Sequence, residues 1–408
     1  MREKKIIIFL YNRLFDPVVQ SNFWLFIIST LQEKNKEYKF HVISYENKEI
    51  PLTEEQKLKV QEWQKLGLGW TPLKWHAGTG IKNKVSDIGQ GLKVVTRLRF
   101  KGYKYIMGFA SVSGAIAYLY CRVLGLRLYI HSYEPHSEYA IDNKMWKKES
   151  TQYKVLNRLE RKAAFYADVI VSATRFMEAR LKEEWKVKGF FVKIPSVVDE
   201  KKFVFNEVDR LATRKRLGID ETAWVLYYPG KFGDLYYKQE TAFMYKWLRE
   251  LDSRFHLLIV TPHTKEEVYE LFDGAGVDRE TYTVTHSSYD EIHVYASASD
   301  MGIIAVPPGP SKKFISNIKV GEYLCAGMPY LITKGISEDY LYAIEKQVGV
   351  VVDDFDEKSI KAGYWEIKEY MEMNPDKRRE HCREMGVDYR GSAKLNGQFR
   401  LALEKLVG

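Results

Sequence analysis

The chain contains little cysteine and no long apolar run, and each shortage excludes a class of protein. Its 408 residues include three cysteines, Cys121, Cys325 and Cys382, which are odd in number and widely spaced. This pattern fits neither a disulfide framework nor a zinc cluster, and it indicates a reducing cytoplasm. No apolar stretch approaches the ~20 residues that span a bilayer, so we expect a soluble or peripheral protein.

Several short motifs of known chemistry are also missing. The sequence contains no Walker phosphate loop, no Gly-x-Gly-x-x-Gly and no His-Glu-x-x-His. Asp354-Phe355-Asp356 spells a metal-binding Asp-x-Asp, but it follows the apolar residues 350–352, so we interpret it as a turn. The apolar residues 6–10 are too few for a secretory signal, and no small-residue cleavage site follows, so they predict a buried first strand.

Length and charge indicate two domains with different partners. A chain of 408 residues exceeds one ordinary core and fits two domains of about 200 residues each. Residues 1–195 hold 34 Lys and Arg against 19 Asp and Glu, a net charge of +15, whereas the remainder holds 29 against 35, a net charge of −6. This asymmetry suggests that the N-terminal half meets an anionic partner.

Apolar strands alternate with helical patterns twice along the chain, which is typical of parallel sheets covered on both faces. The first half predicts strands near residues 6–10, 40–44, 105–109, 127–131, 169–172 and 191–194. The second half predicts strands near residues 225–228, 257–261, 282–285, 301–306, 330–333 and 349–352. We therefore predict an α/β protein with domains at 1–195 and 196–385, whose ligands bind at the carboxyl ends of the strands.

Residues 319–329 form the most informative segment. They predict a short helix that is entered from Ser316-Asn317, with Lys319 beside its N-terminus and Glu322 one turn inward. The unpaired N–H groups of a helix N-terminus, a nearby lysine and a carboxylate together suit a phosphorylated ribose.

This segment closely resembles the nucleotide-binding segment of the family 4 retaining glycosyltransferases, also called glycosyl transferases group 1. Other segments match that family in the same order along the chain: residues 167–181, 194–203, 214–219 and 228–232, the last followed by Lys238. The resemblance implies the GT-B fold, in which two Rossmann-like domains face each other across a cleft. It implies that the first domain binds the acceptor, that the second binds a nucleotide sugar, and that a helix in residues 386–408 crosses back to the first domain.

The resemblance also implies a donor site. Glu322 would accept hydrogen bonds from the ribose hydroxyls, with charge assistance. Lysine side chains would neutralise the departing diphosphate, and backbone N–H groups of a glycine-containing turn would face the donor. The implied donor-binding residues are Lys231, Lys238, Ser316, Asn317, Lys319, Glu322, Gly335, Ile336 and Ser337. The alternatives are a solvent-facing glutamate, solvated lysines, a Lys319 that only caps its loop, and an ordinary turn.

A polar cluster, His131-Ser-Tyr-Glu-Pro-His136, follows a predicted strand of the first domain. Members of the resembled family place a His, or a His-Glu-Pro sequence, near this point beside the donor sugar. The resemblance therefore implies that His131 and Glu134 are catalytic, together with Lys231, and that they orient the sugar or take the acceptor proton. The alternative is a structural histidine at a strand end.

The sequence departs from the family in two places. The family often has two glutamates separated by seven residues, and Phe314 stands where the first would be. The first-domain loop of residues 11–20 lacks the common Gly-Gly pair and carries Asp16-Pro17 instead. The resemblance therefore implies no contact to the transferred sugar at Phe314 and no acceptor contact in residues 11–20.

Residues 82–104 form a basic, amphipathic stretch. Its cationic residues, Lys82, Lys84, Lys93, Arg97, Arg99, Lys101 and Lys104, are interleaved with apolar ones. Such a helix could rest on anionic lipid, where each cation contributes ~1 kcal/mol; the alternative is a solvated helix face. No nucleic-acid-binding module is recognisable, so we predict no nucleic-acid partner.

These observations lead to one hypothesis and three alternatives. The hypothesis is a metal-independent, retaining glycosyltransferase of the hexosyltransferase class, with no cofactor besides its nucleotide-diphosphate sugar. Its acceptor would be a glycan, free or lipid-linked, in cell-surface polysaccharide biosynthesis. The protein would be cytoplasmic, with the inner face of the membrane as a further location. The alternatives are a nucleotide-sugar 2-epimerase, a sugar phosphorylase of the same fold, and a non-catalytic nucleotide-sugar-binding subunit.

Overall fold

The chain forms two compact units. The computed structural model describes residues 3–33, 37–76 and 80–408, and the side chains of these except residues 17–23 and 81. The first unit comprises Met1–Pro195 and Leu395–Gly408, and the second comprises Ser196–Lys394. The assignment of acceptor and donor binding to the two units stays a prediction.

The first unit is built on a parallel sheet. Its strands within the described residues are β1 (Lys4–Phe9), β2 (Tyr38–Glu46), β3 (Gly69–Lys74), β4 (Tyr105–Phe109), β5 (Arg127–His131), β6 (Val169–Ser172) and β7 (Phe190–Lys193). They lie in the order β3-β2-β1-β4-β5-β6-β7. The helices are α1 (Pro17–Gln32), α2 (Glu54–Lys65), α3 (Ile81–Phe100), α4 (Ala110–Leu124), α5 (His136–Asp142), α6 (Thr151–Tyr166) and α7 (Arg175–Ala179), which a π-helical turn, Arg180–Glu184, continues.

The central strands of this sheet are buried on both faces. Ile6, Ile7 and Ile8 of β1 are all 0% exposed, as expected for a parallel sheet with helices on either side. The strand order reverses between β1 and β4. In open sheets of this kind, such a switch point opens a crevice at the carboxyl ends of the strands, where ligands bind.

The second unit, all of whose residues are described, repeats the plan with six parallel strands. These are β8 (Trp224–Pro229), β9 (Phe255–Val260), β10 (Tyr282–Thr285), β11 (Met301–Ile304), β12 (Tyr330–Thr333) and β13 (Gly349–Val352). Their order is β10-β9-β8-β11-β12-β13, with the switch point between β8 and β11. The helices are α8 (Glu207–Leu217), α9 (Gln239–Leu251), α10 (Lys265–Gly274), α11 (Ile292–Ser297), α12 (Ile318–Cys325), α13 (Asp339–Lys346), α14 (Glu357–Glu372) and α15 (Pro375–Arg390).

The last helix, α16 (Ser392–Val407), returns the chain to the first unit. Phe399 of α16 is 0% exposed and stacks on Phe26 of α1, with ring centroids 4.8 Å apart. The resemblance implied a helix in residues 386–408, and α16 is a helix within that range.

All twelve predicted strands are present, and β3 is the one the sequence reading missed within the described residues. β3 lies at the edge of its sheet and pairs with β2 alone. It contains Gly69 and Pro72, residues that weaken a strand interior and are tolerated at an edge. Because an edge strand needs no continuous apolar run, its sequence carries little periodic signal.

One carboxylate, Asp300, ties several elements of the second unit together just before β11. Its Oδ2 accepts hydrogen bonds from Arg214 Nη2 at 2.6 Å and from the Val225 N–H at 2.9 Å. Its Oδ1 accepts from Arg210 Nη1 at 3.3 Å. The guanidinium groups of Arg378 and Arg379 lie 3.6 and 3.7 Å from the same oxygen. Burial alone would raise the pKa of Asp300, but the arginine charges outweigh it and hold the pKa below its ordinary value.

The two ends of the second unit are joined to each other within that unit. The Val198 N–H donates to the Arg390 carbonyl at 2.9 Å, and Val198 forms a β-bridge with Gly391. The Glu200 carboxylate accepts from the Ser392 N–H at 2.7 Å and from its hydroxyl at 2.8 Å. The chain therefore enters and leaves this unit at neighbouring points.

The remaining sequence expectations concern membranes and metals. No helix in the described part of the chain is both long and apolar enough to cross a bilayer. Among the described residues, no group of three or more His, Cys, Asp or Glu side chains is arranged to hold a metal ion. Asp354 accepts a hydrogen bond from the Tyr237 hydroxyl, and Asp356 caps α14 by accepting from the Ser359 N–H at 2.7 Å. Asp354-Phe355-Asp356 is therefore a helix-capping connection.

Candidate functional site

Glu322 is a buried carboxylate on the second turn of α12. The Asn317 side chain caps this helix by accepting from the Lys319 N–H at 3.1 Å, so the helix begins where the sequence predicted. Glu322 is 6% exposed. Burial raises the pKa of Glu322 to about 7, although a hydrogen bond from Tyr289 and the charges of Lys319 and Lys202 oppose the shift. The interpretation of Glu322 as a solvent-facing helix residue is wrong, because its side chain is enclosed.

Tyr289 and Lys202 complete the surroundings of Glu322, and the sequence reading missed both. The Tyr289 hydroxyl donates to Glu322 Oε1 at 3.2 Å, while the residue as a whole remains 49% exposed. Lys202 Nζ lies 4.4 Å from the centroid of the Tyr289 ring and donates to the Tyr289 carbonyl at 3.0 Å. Lys202 belongs to residues 194–203, which the resemblance had already marked. Tyr289 lies in a polar stretch after β10, and nothing in the sequence of that stretch indicates a contact with Glu322.

Lys319 reaches the glycine-containing loop that follows β8. Gly230 has φ +147°, and a Cβ atom there would lie 2.5 Å from Lys319 Nζ. The same Nζ lies 4.3 Å from the centroid of the Tyr236 ring, which belongs to this loop. The positive φ favours glycine at this position, and a side chain there would force the end of Lys319 to move away. The structure therefore brings α12 and the loop after β8 together around the Lys319 ammonium group.

Lys231 and Lys238 are both exposed and belong to this same loop. The carbonyl of Lys231 accepts from the Tyr228 hydroxyl at 2.6 Å, which fixes its backbone at the end of β8. The Lys238 N–H donates to Glu240 Oε2 at 3.1 Å, and Lys238 directly precedes α9. Their predicted role at the diphosphate stays a prediction.

The turn after β12 has an unusual backbone. Gly335 and Ser337 have φ values of +85° and +57°, and a Cβ atom at Gly335 would meet no heavy atom within 4 Å. Ile336 between them is 0% exposed. The Ser337 N–H already donates to the Lys312 carbonyl at 2.9 Å. Of the predicted N–H donors, Ser337 is thus engaged inside the protein, whereas Gly335 borders open space.

The Ser316 side chain is hydrogen-bonded to residues near the beginning and the end of the second unit. Its Oγ accepts from the Ser196 N–H at 2.9 Å and from Arg390 Nη1 at 2.5 Å. Arg390 also forms a fully buried ion pair with Asp339. Ser316 therefore anchors the loop before α12, and its contact with a donor stays a prediction. Phe314, in the place of the family's first glutamate, is 6% exposed in a 3₁₀ turn.

His131 lies at the end of β5 in an aromatic cluster of the first unit. It is 1% exposed, stacks on Phe109 at 5.2 Å between ring centroids, and shares a 2.9 Å hydrogen bond through Nδ1 with the Tyr129 hydroxyl. Burial lowers the pKa of His131 to about 3, so the imidazole is neutral at physiological pH. The described environment suits packing and hydrogen bonding, and the role beside the donor sugar stays a prediction.

Glu134 follows in the same loop, and its environment differs. The residue is partly exposed, and burial of its carboxyl raises its pKa to about 8. Its carbonyl accepts from the Ser111 hydroxyl. Ser132 has φ +52°, and Ala110, after the neighbouring β4, has φ +65°. Strained backbone of this kind costs about 1–3 kcal/mol per residue and is concentrated at functional sites.

Comparison with protein-family models gives no match, and comparison with curated proteins gives none either. Solved structures match over almost the whole chain. Sucrose-phosphate synthase from Thermosynechococcus elongatus matches with a TM-score of 0.70 and 13% identity, over 100% of this chain and 99% of that one. Anabaena HepE in complex with UDP matches with a TM-score of 0.69 and 10% identity, over 98% and 99%. WaaG, a glycosyltransferase involved in lipopolysaccharide biosynthesis, matches with a TM-score of 0.64 and 14% identity, over 96% and 98%.

Enzymes of another class share this architecture. A putative UDP-N-acetylglucosamine 2-epimerase from Listeria monocytogenes matches with a TM-score of 0.58 and 13% identity, over 95% of this chain and 91% of that one. At such identities the likeness is one of fold. The chain has the GT-B fold of these glycosyltransferases, with two Rossmann-like parallel-sheet units.

Proposed function

We propose that the chain is a retaining glycosyltransferase that moves a sugar from a nucleotide-diphosphate donor to a glycan acceptor. The observation that carries the proposal is the buried Glu322, placed one turn inside α12, whose neighbour Lys319 lies against the glycine loop of β8. A ribose binds well where a carboxylate accepts from both hydroxyls. A diphosphate binds well at a helix N-terminus beside lysines. HepE, with the same fold, binds UDP and UDP-glucose.

In the proposed chemistry, lysine side chains stabilise the negative charge that develops during transfer. As the bond between the sugar and the phosphate breaks, negative charge grows on the departing oxygen, and Lys231, Lys238 and Lys319 would stabilise it. Fixed cations aimed at developing charge supply a large part of such catalysis. The proposal therefore needs no metal and no cofactor besides the nucleotide sugar. His131 and Glu134 would act at the sugar, with Glu134 as the group able to hold a proton near neutral pH.

For the acceptor we propose a glycan of cell-surface polysaccharide biosynthesis, held by a lipid at the inner face of the membrane. WaaG shares the fold and takes part in lipopolysaccharide biosynthesis. The basic helix α3 supports contact with anionic lipid, since Val85 and Phe100 are 63% and 87% exposed among its lysines and arginines. Apolar side chains in a basic face favour an interfacial position.

A thermal-shift panel of nucleotides and nucleotide sugars tests the donor site. A nucleotide at 100 times its dissociation constant adds about 2.7 kcal/mol of stability. In a unit of this size we expect the melting temperature to rise by about 5–10 °C. No shift with any nucleotide would overturn the proposal.

The pH dependence of nucleotide affinity tests Glu322 itself. Because its pKa is about 7, the ribose meets a carboxylate above that pH and a carboxylic acid below it. We expect the dissociation constant to rise as the pH falls below 7, by at most about tenfold per pH unit, and to level off once the protonated form dominates binding. Glu322→Gln should weaken binding about tenfold or more at pH 8 and retain only the shallower pH dependence of the phosphates. Equal affinity in both proteins at pH 8 would remove Glu322 from the site.

The same raised pKa has a consequence for the ligand-free protein. A carboxyl group whose pKa is higher in the folded state stabilises the fold fully below its unfolded pKa and loses that contribution as the pH rises through the folded value. Around pH 8 the ligand-free protein therefore carries an unfavourable buried charge at Glu322. Glu322→Gln should consequently raise the melting temperature at pH 8 while it weakens binding.

The match to a putative 2-epimerase favours a second candidate function, a nucleotide-sugar 2-epimerase. The sugar phosphorylase and the non-catalytic nucleotide-sugar-binding subunit stay open beside it. Product analysis separates the three: an epimerase changes the donor without an acceptor, a phosphorylase responds to free phosphate, and a binding subunit shows nucleotide affinity without turnover. Retention is tested by the anomeric configuration of the product.

A further inference from the structure

Three helices of the first unit, α3, α4 and α6, form one continuous layer. Helix α4 packs between the other two. The Tyr120 hydroxyl of α4 donates to the Ile88 carbonyl of α3 at 2.9 Å. On the other side, the rings of Tyr118 on α4 and Tyr166 on α6 meet edge to face, with centroids 5.5 Å apart. The outer sides of the three helices therefore belong to a single surface.

The topology places this layer on one face of the first sheet. From β1 to β3 the chain moves across the sheet in one direction, and from β3 to β7 it moves in the opposite direction. Because crossover connections are right-handed, α1 and α2 cover one face of the sheet, and α3, α4 and α6 cover the other. Helix α16 packs on α1 and so lies on the first of these faces.

The acidic side chains of this layer are enclosed. The three helices contain two acidic residues, Asp87 and Glu160, and both are 0% exposed. Asp87 Oδ2 accepts from the Tyr11 hydroxyl at 2.8 Å. Glu160 accepts from the His136 N–H at 2.8 Å and from the Ser137 hydroxyl at 2.5 Å. Both carboxylates thus form hydrogen bonds inside the unit, and neither reaches the outer side of the layer.

The basic side chains of the layer are mostly exposed. The three helices contain ten Lys and Arg residues, of which eight are exposed. Helix α6, which the sequence reading did not mark, contributes Lys154, Arg158, Arg161 and Lys162. Their spacing of three to four residues places them on one side of that helix. We call the exposed side chains of α3, α4 and α6 the basic face.

Large apolar side chains occur at both ends of the basic face. Phe100, Val123 and Phe165 lie at or near the last turns of α3, α4 and α6, and Val85 and Val155 lie near the first turns of α3 and α6. All five are between 53% and 87% exposed. Val85 and Phe100 are about 22 Å apart along α3, at 1.5 Å per residue. The apolar groups are therefore spread over the face among its cations.

We propose that the basic face docks on an anionic lipid bilayer, with α3, α4 and α6 lying along the headgroups. The inference rests on the proposed function for the lipid-held acceptor, and it extends the lipid contact from α3 to a surface of three helices. The cations attract anionic headgroups. The exposed Phe and Val side chains enter the boundary between headgroups and acyl chains. The enclosure of Asp87 and Glu160 keeps carboxylates away from the lipid phosphates.

The apolar side chains favour a bilayer over a soluble polyanion. A DNA duplex or an acidic polysaccharide would be held by the cations, through release of counterions. Phe100 and Phe165 would then stay in water. A bilayer engages both kinds of side chain at once, because charged headgroups and apolar chains lie within a few ångströms of each other.

The test is co-sedimentation of the full chain with two kinds of vesicle, phosphatidylcholine alone and phosphatidylcholine mixed with phosphatidylglycerol. We expect binding to the mixed vesicles alone, weakened by added salt. A variant that combines Lys154→Ser, Arg158→Ser and Lys162→Ser should bind the mixed vesicles about 100-fold more weakly. Its melting temperature and its nucleotide affinity should stay those of the wild type, because the three side chains are exposed.

The matched control removes the same charge from the other face of the sheet. It combines Lys57→Ser, Lys59→Ser and Lys65→Ser on α2. We expect vesicle affinity within about threefold of the wild type, because these lysines lie away from the basic face and exposed charges interact only over about a Debye length. An equal loss in the α2 and α6 variants would show that net charge alone governs binding, and would overturn the proposed surface.

Phe100→Ser combined with Phe165→Ser tests the apolar part of the contact. We expect binding to the mixed vesicles to weaken about tenfold or more, while binding to heparin, a soluble polyanion, stays unchanged. Unchanged vesicle binding in this variant, or a wild type that binds heparin but no vesicles, would overturn the bilayer in favour of a polyanion. Either result leaves the nucleotide response, and with it the transferase proposal, intact. A protein that binds vesicles but no nucleotide would overturn the transferase proposal alone.

Discussion

Lys231→Ala is expected to lower kcat for sugar transfer by about 100- to 1000-fold and to change nucleotide affinity far less. Lys231 is exposed at the end of β8, where the Tyr228 hydroxyl fixes its carbonyl. Its charge becomes most useful as the diphosphate departs, because negative charge grows there in the transition state. Removing one such fixed donor or cation typically costs about 10²–10³ in kcat. Steady-state kinetics and a nucleotide titration on the same preparation measure the two effects.

Two further variants test whether the loss of activity comes from the charge at position 231. Lys231→Arg keeps the charge and should retain most of the activity. Lys377→Ala, at an exposed lysine near the start of α15, removes a charge outside the loop of β8 and should leave kcat unchanged. If Lys231→Ala raises the nucleotide dissociation constant as much as it lowers kcat/KM, Lys231 contributes uniform binding and has no special part in the transition state.

Asp300→Asn is expected to lower the free energy of unfolding by about 3–5 kcal/mol, because it leaves buried arginines without their carboxylate. Arg214, which is 0% exposed, loses a charged hydrogen bond of 2.6 Å to Asp300. Arg378, which is 4% exposed, loses the negative charge 3.6 Å from its guanidinium group. The Asp300 pKa lies below its ordinary value, so its contribution is complete above the ordinary aspartate value and is lost as the pH falls through the folded one. Urea denaturation at pH 7 and in acid measures the loss of unfolding free energy and its dependence on pH.

The matched control is Asp273→Asn, which removes a surface pair with Arg279 whose side chains are 42% and 57% exposed. Exposed pairs contribute little, so stability should be nearly unchanged. The difference between wild type and Asp300→Asn should also narrow in acid, where the wild type loses the same charge. Equal and small losses in the two variants would show that the arginines around Asp300 relax into water.

The fold and the donor segment were predictable because their signals are local. Buried parallel strands are continuous apolar runs, so twelve strands could be identified from short windows. Residues 317–322 combine a capping residue, a lysine and a carboxylate within two turns, and the structure shows the helix with its cap at Asn317. The edge strand β3, with Gly69 and Pro72, lacks such a run and escaped prediction.

The surroundings of the functional groups could not be predicted, because they depend on distant parts of the chain. Glu322 and Tyr289 are 33 positions apart, and Ser316 and Arg390 are 74 apart. The burial of Glu322, which sets its pKa, comes from residues that share no pattern with α12. His131 shows the converse, since its position at a strand end was correct but its aromatic enclosure arises from α1, β4 and α16.

The joined ends of the second unit bear on how the protein folds. The first unit is interrupted by 199 residues between Pro195 and Leu395. Closing a flexible loop of that length would cost about 4–5 kcal/mol in chain entropy. The Val198 bridge to Gly391 and the Glu200 contacts to Ser392 bring the two ends together once the second unit has folded. The folded second unit then holds the chain segments on its two sides close together. Helix α16 can pack against α1 without paying the closure entropy of a flexible loop of that length.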